Sequence, residues 1–293
     1  MKTSKAKVKI LHIINGEFFS GAERVQDVLA LSLPDYGYEV GFVCLKPVKF
    51  AANRVSTVPL YEVPMKSKFD LACVKEIAAI ARRDQYAVIH SHTPRAVLLG
   101  RLAAWMAGLP LVHHVHSPTT RDTENLLRNY TNAMRERLSL SGVSQVIPVS
   151  RSLEASLQNQ GWPRTKITTA ANGVVTPGPL PERLPPSSEW VIGSVALFRP
   201  RKGLEVLLQT LADLKQMGKT VRLRAVGPFE TLEYEKTIKA LAIRLGVADM
   251  IDWIGFVQKI ELEFHKMDVM TLPSLFGEGM PMVILEAMAT GVP

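Results

Sequence analysis

Two glutamates stand eight positions apart near the end of the 293-residue chain, in the runs Phe276-Gly277-Glu278-Gly279-Met280-Pro281 and Leu285-Glu286-Ala287. The first falls in a glycine-rich turn and the second inside a segment with helical patterning. One carboxylate is thus expected at a helix mouth and the other on a face pointing back toward it. Two hydroxyl acceptors so placed suit a sugar and a ribose better than they suit a metal. A second group, Phe198-Arg199-Pro200-Arg201-Lys202-Gly203, follows an apolar strand and opens a helix. Cations at a helix N-terminus oppose the macrodipole, so they call for a reason. Backbone N–H groups joined by such cations form a site for a diphosphate. The turn from Gly16 to Gly21, with Glu23 just inside the next helix, is a weaker candidate for close backbone approach to a ligand.

Five of the seven histidines gather at two strand ends: His90 and His92, then His113, His114 and His116. Strand alternation puts His114 and His116 on one face and His113 on the other. The bland alternative is a set of hydrogen-bonded core residues. A metal cluster would lack accompanying carboxylates, and no Asp-x-Asp occurs in the chain. No metal site is therefore expected, and fixed cations would hold any diphosphate. Cys44 and Cys73 lack metal-ligand spacing and read as free core thiols of a reducing cytoplasm.

The elements that must position these residues follow from the pattern. A hydrophobic content of 47% supports real cores, and 293 residues suffice for two domains. Apolar strands alternate with helices, which predicts parallel sheets covered on both faces, an α/β fold. In the first half, strands are predicted at 8–14, 39–45, 87–92, 111–116, 146–150 and 167–170, and helices at 22–33, 71–83, 96–107 and 123–140. Residues 176–186 hold five prolines in eleven positions and read as a linker. A second series follows: strands at 190–197, 221–226, 250–254 and 269–272, and helices at 204–216, 233–245, 260–266 and 282–289. The domains expected are 1–175, a proline-rich linker 176–189, and 190–293, with a ligand cleft at the carboxyl ends of both sheets. Residues 1–185 carry 23 Lys and Arg against 14 Asp and Glu, whereas residues 186–293 carry 12 against 13. The basic surplus thus lies wholly in the first half, where it suits an anionic membrane surface, a phosphate-bearing acceptor or nucleic acid. No nucleic-acid motif supports the last. Arg121, Arg128, Arg135 and Arg137 give the helix 123–140 a basic face for peripheral membrane contact. The N-terminus has no apolar signal core, so a cytoplasmic location is expected.

Glu278-x7-Glu286, with Leu285-Glu286-Ala287-Met288-Ala289-x-Gly291-x-Pro293, resembles glycosyltransferase family 4, retaining enzymes with the two-domain GT-B fold. The resemblance also takes in Gly21-x-Glu23, His90-x-His92, His116, Asn172-Gly173-Val174, Lys202-Gly203 and Gly227. It implies a donor site in which Lys202 and Gly203 meet the diphosphate of a nucleotide sugar, with Arg199 or Arg201 beside them. The family's usual arginine position is Leu197 here. It further implies that Glu286 accepts from the ribose, that Glu278 binds the transferred sugar, and that amides near Gly279 and Met280 face the sugar or phosphate, with Gly227 nearby. His116 matches the family's active-site histidine. Gly21, Glu23, His92, Asn172 and Gly173 would line the acceptor side. The family continues beyond Gly-x-Pro, which implies an incomplete second domain whose helix 282–289 lacks packing partners. The function implied is transfer of a hexose-type sugar to a glycan, lipid-linked or other cell-envelope acceptor. Three other readings stay open: a non-catalytic sugar-nucleotide-binding protein, a sugar-nucleotide epimerase of the same fold, and a dinucleotide-dependent oxidoreductase. The last is disfavoured because neither half has a Gly-x-Gly-x-x-Gly turn after its first strand.

Overall fold

The computed structural model describes residues 7–67, 70–118, 140–176, 178, 182–183, 185–186 and 188–293. The chain divides into two compact units: residues 1–173 with Glu278–Met280, and residues 174–277 with Pro281–Pro293. The stretch expected as a separate linker is grouped with the second unit. There Arg183 donates to the carbonyls of Met267 (2.7 Å) and Phe264 (3.2 Å). The basic helix expected over 123–140 lies outside the described residues except at its last position.

In the first unit the strands are β1 (Val8–Ile14), β2 (Tyr38–Cys44), β3 (Leu60–Glu62), β4 (Val88–Ser91), β5 (Leu111–Val115) and β6 (Gln145–Pro148). They form one sheet in the order β3-β2-β1-β4-β5-β6, and every pairing is parallel. Parallel strands buried on both faces need continuous apolar runs, and Ile10-Leu11-His12-Ile13-Ile14 supplies one. The direction of winding reverses between β1 and β4, the place where doubly wound sheets bind ligands at their carboxyl ends.

The helices begin where sequence-local chemistry satisfies their first N–H groups. Helix α1 (Gly21–Ser32) starts with a capping box between Ser20 and Glu23. A short α2 (Phe50–Asn53) follows β2, and α3 (Ala72–Arg83) follows β3. In α4 (Pro94–Ala107) the Thr93 hydroxyl accepts from Ala96 N, and Pro94 occupies the first turn, where no N–H is needed. Helix α5 (Arg151–Asn159) was not expected; the Ser150 hydroxyl caps it, and Leu153 and Leu157 bury its inner face. Residues 167–170, expected as a strand, run beside β6 with Thr168 N and Ala170 N bonded to Val146 and Pro148 carbonyls, yet only Ile167 forms a bridge.

In the second unit β7 (Trp190–Val195), β8 (Val221–Val226), β9 (Ile251–Gly255) and β10 (Val269–Met270) form a parallel sheet in the order β10-β7-β8-β9. It is covered by α6 (Leu204–Gln216), α7 (Leu232–Arg244), α8 (Ile260–Phe264) and α9 (Met282–Ala289). The expectation that residues 282–289 lack packing partners is overturned. Ala287 is buried with Val195, Val226, Ile260, Phe264 and Met270, and Val283 and Ile284 pack against the same cluster. Met270 N also donates to the Pro293 carbonyl (2.8 Å), so the end of the chain lies against β10.

Candidate active site

The first unit's site stands on β1 and β4, which flank its switch point, and on the neighbouring β5. His12 of β1 and His90 of β4 are register partners. Together with His92, His114 and His116 they form a continuous set of ring contacts, with centroids 4.3 to 5.6 Å apart. His113 stands apart on the opposite face, its Nδ1 2.9 Å from the Ser91 hydroxyl, as alternation requires. His12 was missed in the sequence because a lone histidine in an apolar strand reads as core. Its membership follows only from the register.

Burial drives these imidazoles neutral. It holds His12 and His113 at about 3 and His114 at about 4, below the ordinary 6.5. His90, His92 and His116 are lowered by burial first and by neighbouring imidazoles second. Two hydrogen bonds run through the group: His92 Nε2 to His12 Nδ1 (2.9 Å) and His92 Nδ1 to His116 Nε2 (3.0 Å). On distance alone His12/His90/His92 or His92/His114/His116 could ligate a metal. However, both nitrogens of His92 are engaged in hydrogen bonds, and neither trio includes a carboxylate.

Glu278–Met280 and Asn172 belong to this unit. Asn172 Nδ2 donates to the Met280 carbonyl at 2.8 Å, and Asn172 N lies 3.2 Å from Met280 Sδ. Gly279 passes so close to β5's exit that a Cβ there would lie 2.2 Å from the His116 carbonyl oxygen. The structure therefore brings His116, Asn172, Gly279 and Met280 together with His92. Gly173 follows Asn172, and a Cβ there would meet nothing within 4 Å. Gly21 and Glu23 serve the start of α1. Glu23 is buried, accepts from Ser20 Oγ at 2.8 Å, and has its carboxyl pushed up by burial.

In the second unit the turn after β7 packs on the loop after β10, again at a switch point. Leu275 N donates to the Arg201 carbonyl (2.9 Å), and a Cβ on Gly203 would lie 2.1 Å from the Pro273 carbonyl oxygen. Gly203, at φ +67°, caps α6 directly after a 3₁₀ turn over Pro200–Lys202. The three cations differ in surroundings. Arg199 pairs with Glu230 at 3.2 Å, and Arg201 Nη1 donates to the carbonyls of Gly277 (3.1 Å) and Phe276 (3.3 Å). Lys202 sits half-buried at the end of the turn. Gly227, one residue past β8, donates to the Gly255 carbonyl at 2.7 Å. Glu286 lies midway along α9 and belongs to this unit, whereas Glu278 is grouped with the first. Among the described residues no helix is long and apolar enough to cross a membrane.

The model of Glycosyltransferase Family 4 matches residues 19–176, and that of Glycosyl transferases group 1 matches residues 181–293. The putative colanic acid biosynthesis glycosyltransferase WcaL of Escherichia coli K12 is 27% identical over 208 residues, covering 67% of this chain and 47% of that protein. The chain thus spans about half of WcaL's length. An Escherichia coli UDP-Gal:alpha-D-GlcNAc-diphosphoundecaprenol alpha-1,3-galactosyltransferase is 23% identical, covering all of this chain and 80% of that protein. The crystal structure of Anabaena HepE in complex with UDP-glucose superposes with a TM-score of 0.84 at 22% identity, covering 97% of this chain and 79% of that one. That likeness establishes a GT-B fold with two Rossmann-like units. With one family model over more than half its length and the second over most of the remainder, the chain belongs to glycosyltransferase family 4, with a second half of the glycosyl transferases group 1 type.

Proposed function

We propose that the protein transfers a hexosyl unit from a UDP-sugar to a lipid-linked or polysaccharide acceptor of the cell envelope, with retention of anomeric configuration. The observation that carries this reading is the packing of Gly279 against the His116 carbonyl, with Asn172 bonded to Met280. It supports the reading because the glutamate-bearing turn is grouped with the unit that holds the histidines. Support for the donor and acceptor classes comes from relatives: HepE is solved with UDP-glucose, and the galactosyltransferase acts on a diphosphoundecaprenol-linked sugar.

In the proposed reaction the bond between the sugar's anomeric carbon and the diphosphate oxygen breaks, and the acceptor oxygen bonds to the same face. The acceptor's proton passes to the leaving phosphate oxygen, so no protein nucleophile is needed. Lys202 and the amides about Gly203 offset the charge that grows on the diphosphate, work that preorganised donors do best in a dry site. Glu286 accepts from ribose hydroxyls, Glu278 accepts from the transferred sugar, and neutral His116 hydrogen-bonds to the sugar. Fixed cations replace a metal clamp on the diphosphate. The reaction belongs at the cytoplasmic face of the membrane, where the basic surplus of the first half meets anionic lipid or acceptor phosphate.

Calorimetric titration with UDP, GDP, ADP and their hexose conjugates, with Lys202→Ala and Glu286→Ala alongside, tests the donor assignment. Binding selective for UDP and weakened in both variants is expected. Binding of none of them by the folded chain would refute it. UDP-sugar consumed without any acceptor, with a different sugar isomer formed, would identify an epimerase instead.

A further inference from the structure

His12, His92 and His116 lie in a single row, joined by the hydrogen bonds of 2.9 and 3.0 Å through both nitrogens of His92. Adjacent rings in the row are nearly coplanar, at 19° and 20°, with centroids 4.9 and 5.3 Å apart. The rings therefore meet edge to edge, nitrogen to nitrogen. A neutral imidazole has one N–H and one lone pair. The middle ring can donate one of its bonds only by accepting the other, so both bonds run in the same direction and the three tautomers are locked together.

Two arrangements satisfy the row. If every ring carries its proton on Nε2, the chain ends in a His12 Nε2–H that is buried and has no acceptor among the described residues. If every ring carries it on Nδ1, only a lone pair is left at that atom. Among backbone groups an orphaned buried N–H is rarer than an under-satisfied acceptor, and the same preference is applied to this ring. We propose that His12 and His92 are positioning residues that hold His116 in its Nδ1–H tautomer, so that the outermost ring of the row always offers a hydrogen-bond donor to a ligand oxygen. His116 is the one member of the row that is not fully buried, and Nδ1 is its remaining nitrogen. The oxygen it meets in transfer, on the sugar or the diphosphate, rests on the proposed function. The tautomer itself does not.

Long-range ¹H–¹⁵N correlation spectra of protein labelled at histidine, recorded at neutral pH, read the tautomer directly. His116 is expected as Nδ1–H in the unaltered protein and as a mixture in His92→Phe. It should stay Nδ1–H in His90→Phe, which alters the same stack outside the row. His92→Gln keeps one donor and one acceptor and should restore the tautomer in part. Where transfer is measured, kcat/KM should fall tenfold or more in His92→Phe, as for other partners that orient a site group, and recover partly in His92→Gln. Nε2–H on His116 in the unaltered protein would overturn the proposal. So would a tautomer indifferent to His92→Phe, or stoichiometric Zn²⁺ binding abolished by that substitution. An inactive protein with His116 as Nδ1–H would count against sugar transfer and leave this inference standing.

Discussion

Six imidazoles that stay neutral, five of them buried and His116 partly so, make the first unit sensitive to mild acid. His12, His90, His92, His113, His114 and His116 all have their pKa lowered from 6.5, mainly by burial. A group depressed in the folded state leaves the unfolded chain as the better proton acceptor. Stability is therefore present above pH 6.5 and is lost as pH falls through the window from there to the folded values, about 3 for His12 and His113 and about 4 for His114. Over the two pH units from 7.5 to 5.5, each histidine that stays neutral in the fold costs on the order of 1 kcal/mol. If all six hold neutral, the losses add to between about 5 and 10 kcal/mol, the size of a domain's entire stability. Glu23, whose carboxyl is pushed up by burial, works in the opposite direction, but it is one group against six. Urea unfolding followed by circular dichroism at a series of pH values gives the proton uptake from the slope of free energy against pH. Hydrogen exchange of amides in β1, β4 and β5 assigns it to this sheet. About five protons taken up on unfolding near pH 5.5 are expected. A free energy flat over that range, or uptake of one proton or fewer, would mean that the imidazoles titrate while folded, and the packed row would be wrong.

Other expectations follow from close contacts. Gly203 and Gly218 have similar backbone angles, φ +67° and +70°, but a Cβ on Gly203 meets the Pro273 carbonyl oxygen at 2.1 Å and one on Gly218 meets nothing. Gly218→Ala should cost about 1 kcal/mol, and Gly203→Ala should cost about 1–3 kcal/mol more and weaken UDP binding; equal melting temperatures would refute the contact. Gly279→Ala should displace the turn from His116 and depress transfer more than it lowers the melting temperature, as steady-state kinetics beside calorimetry will show. Arg183→Ala removes charge-assisted bonds to the carbonyls of Met267 and Phe264 and a longer one to Thr290, and should destabilise the second unit by about 2–3 kcal/mol in urea unfolding.

Much of the fold was legible because buried strands and the helices that cover them write themselves in apolar patterns: strands Val8–Ile14 and Val221–Val226 and helices Leu204–Gln216 and Met282–Ala289 match their expected bounds. Helix Arg151–Asn159 was passed over although Ser150 caps it and Leu153 and Leu157 carry its period. Residues 167–170 had strand composition, but composition does not say whether a ladder continues past one bridge. In the site, residue types marked the two strand ends, whereas the row through His12 depends on register, which one strand's sequence does not contain. The same holds for the cations. Arg199, Arg201 and Lys202 look alike in sequence, but their surroundings differ: Glu230 for the first and backbone carbonyls for the second.

The most direct test of the central claim is to incubate the chain with UDP-hexose labelled at the anomeric carbon and an undecaprenyl-diphosphate-linked sugar acceptor, and to read the product's anomeric signal by NMR. The expected result is label in the lipid fraction with the donor's α configuration kept, and loss of that label in Glu278→Gln and Lys202→Ala. Label transferred with inversion would contradict the retaining chemistry. UDP-hexose bound but never transferred to any envelope acceptor would contradict transfer itself.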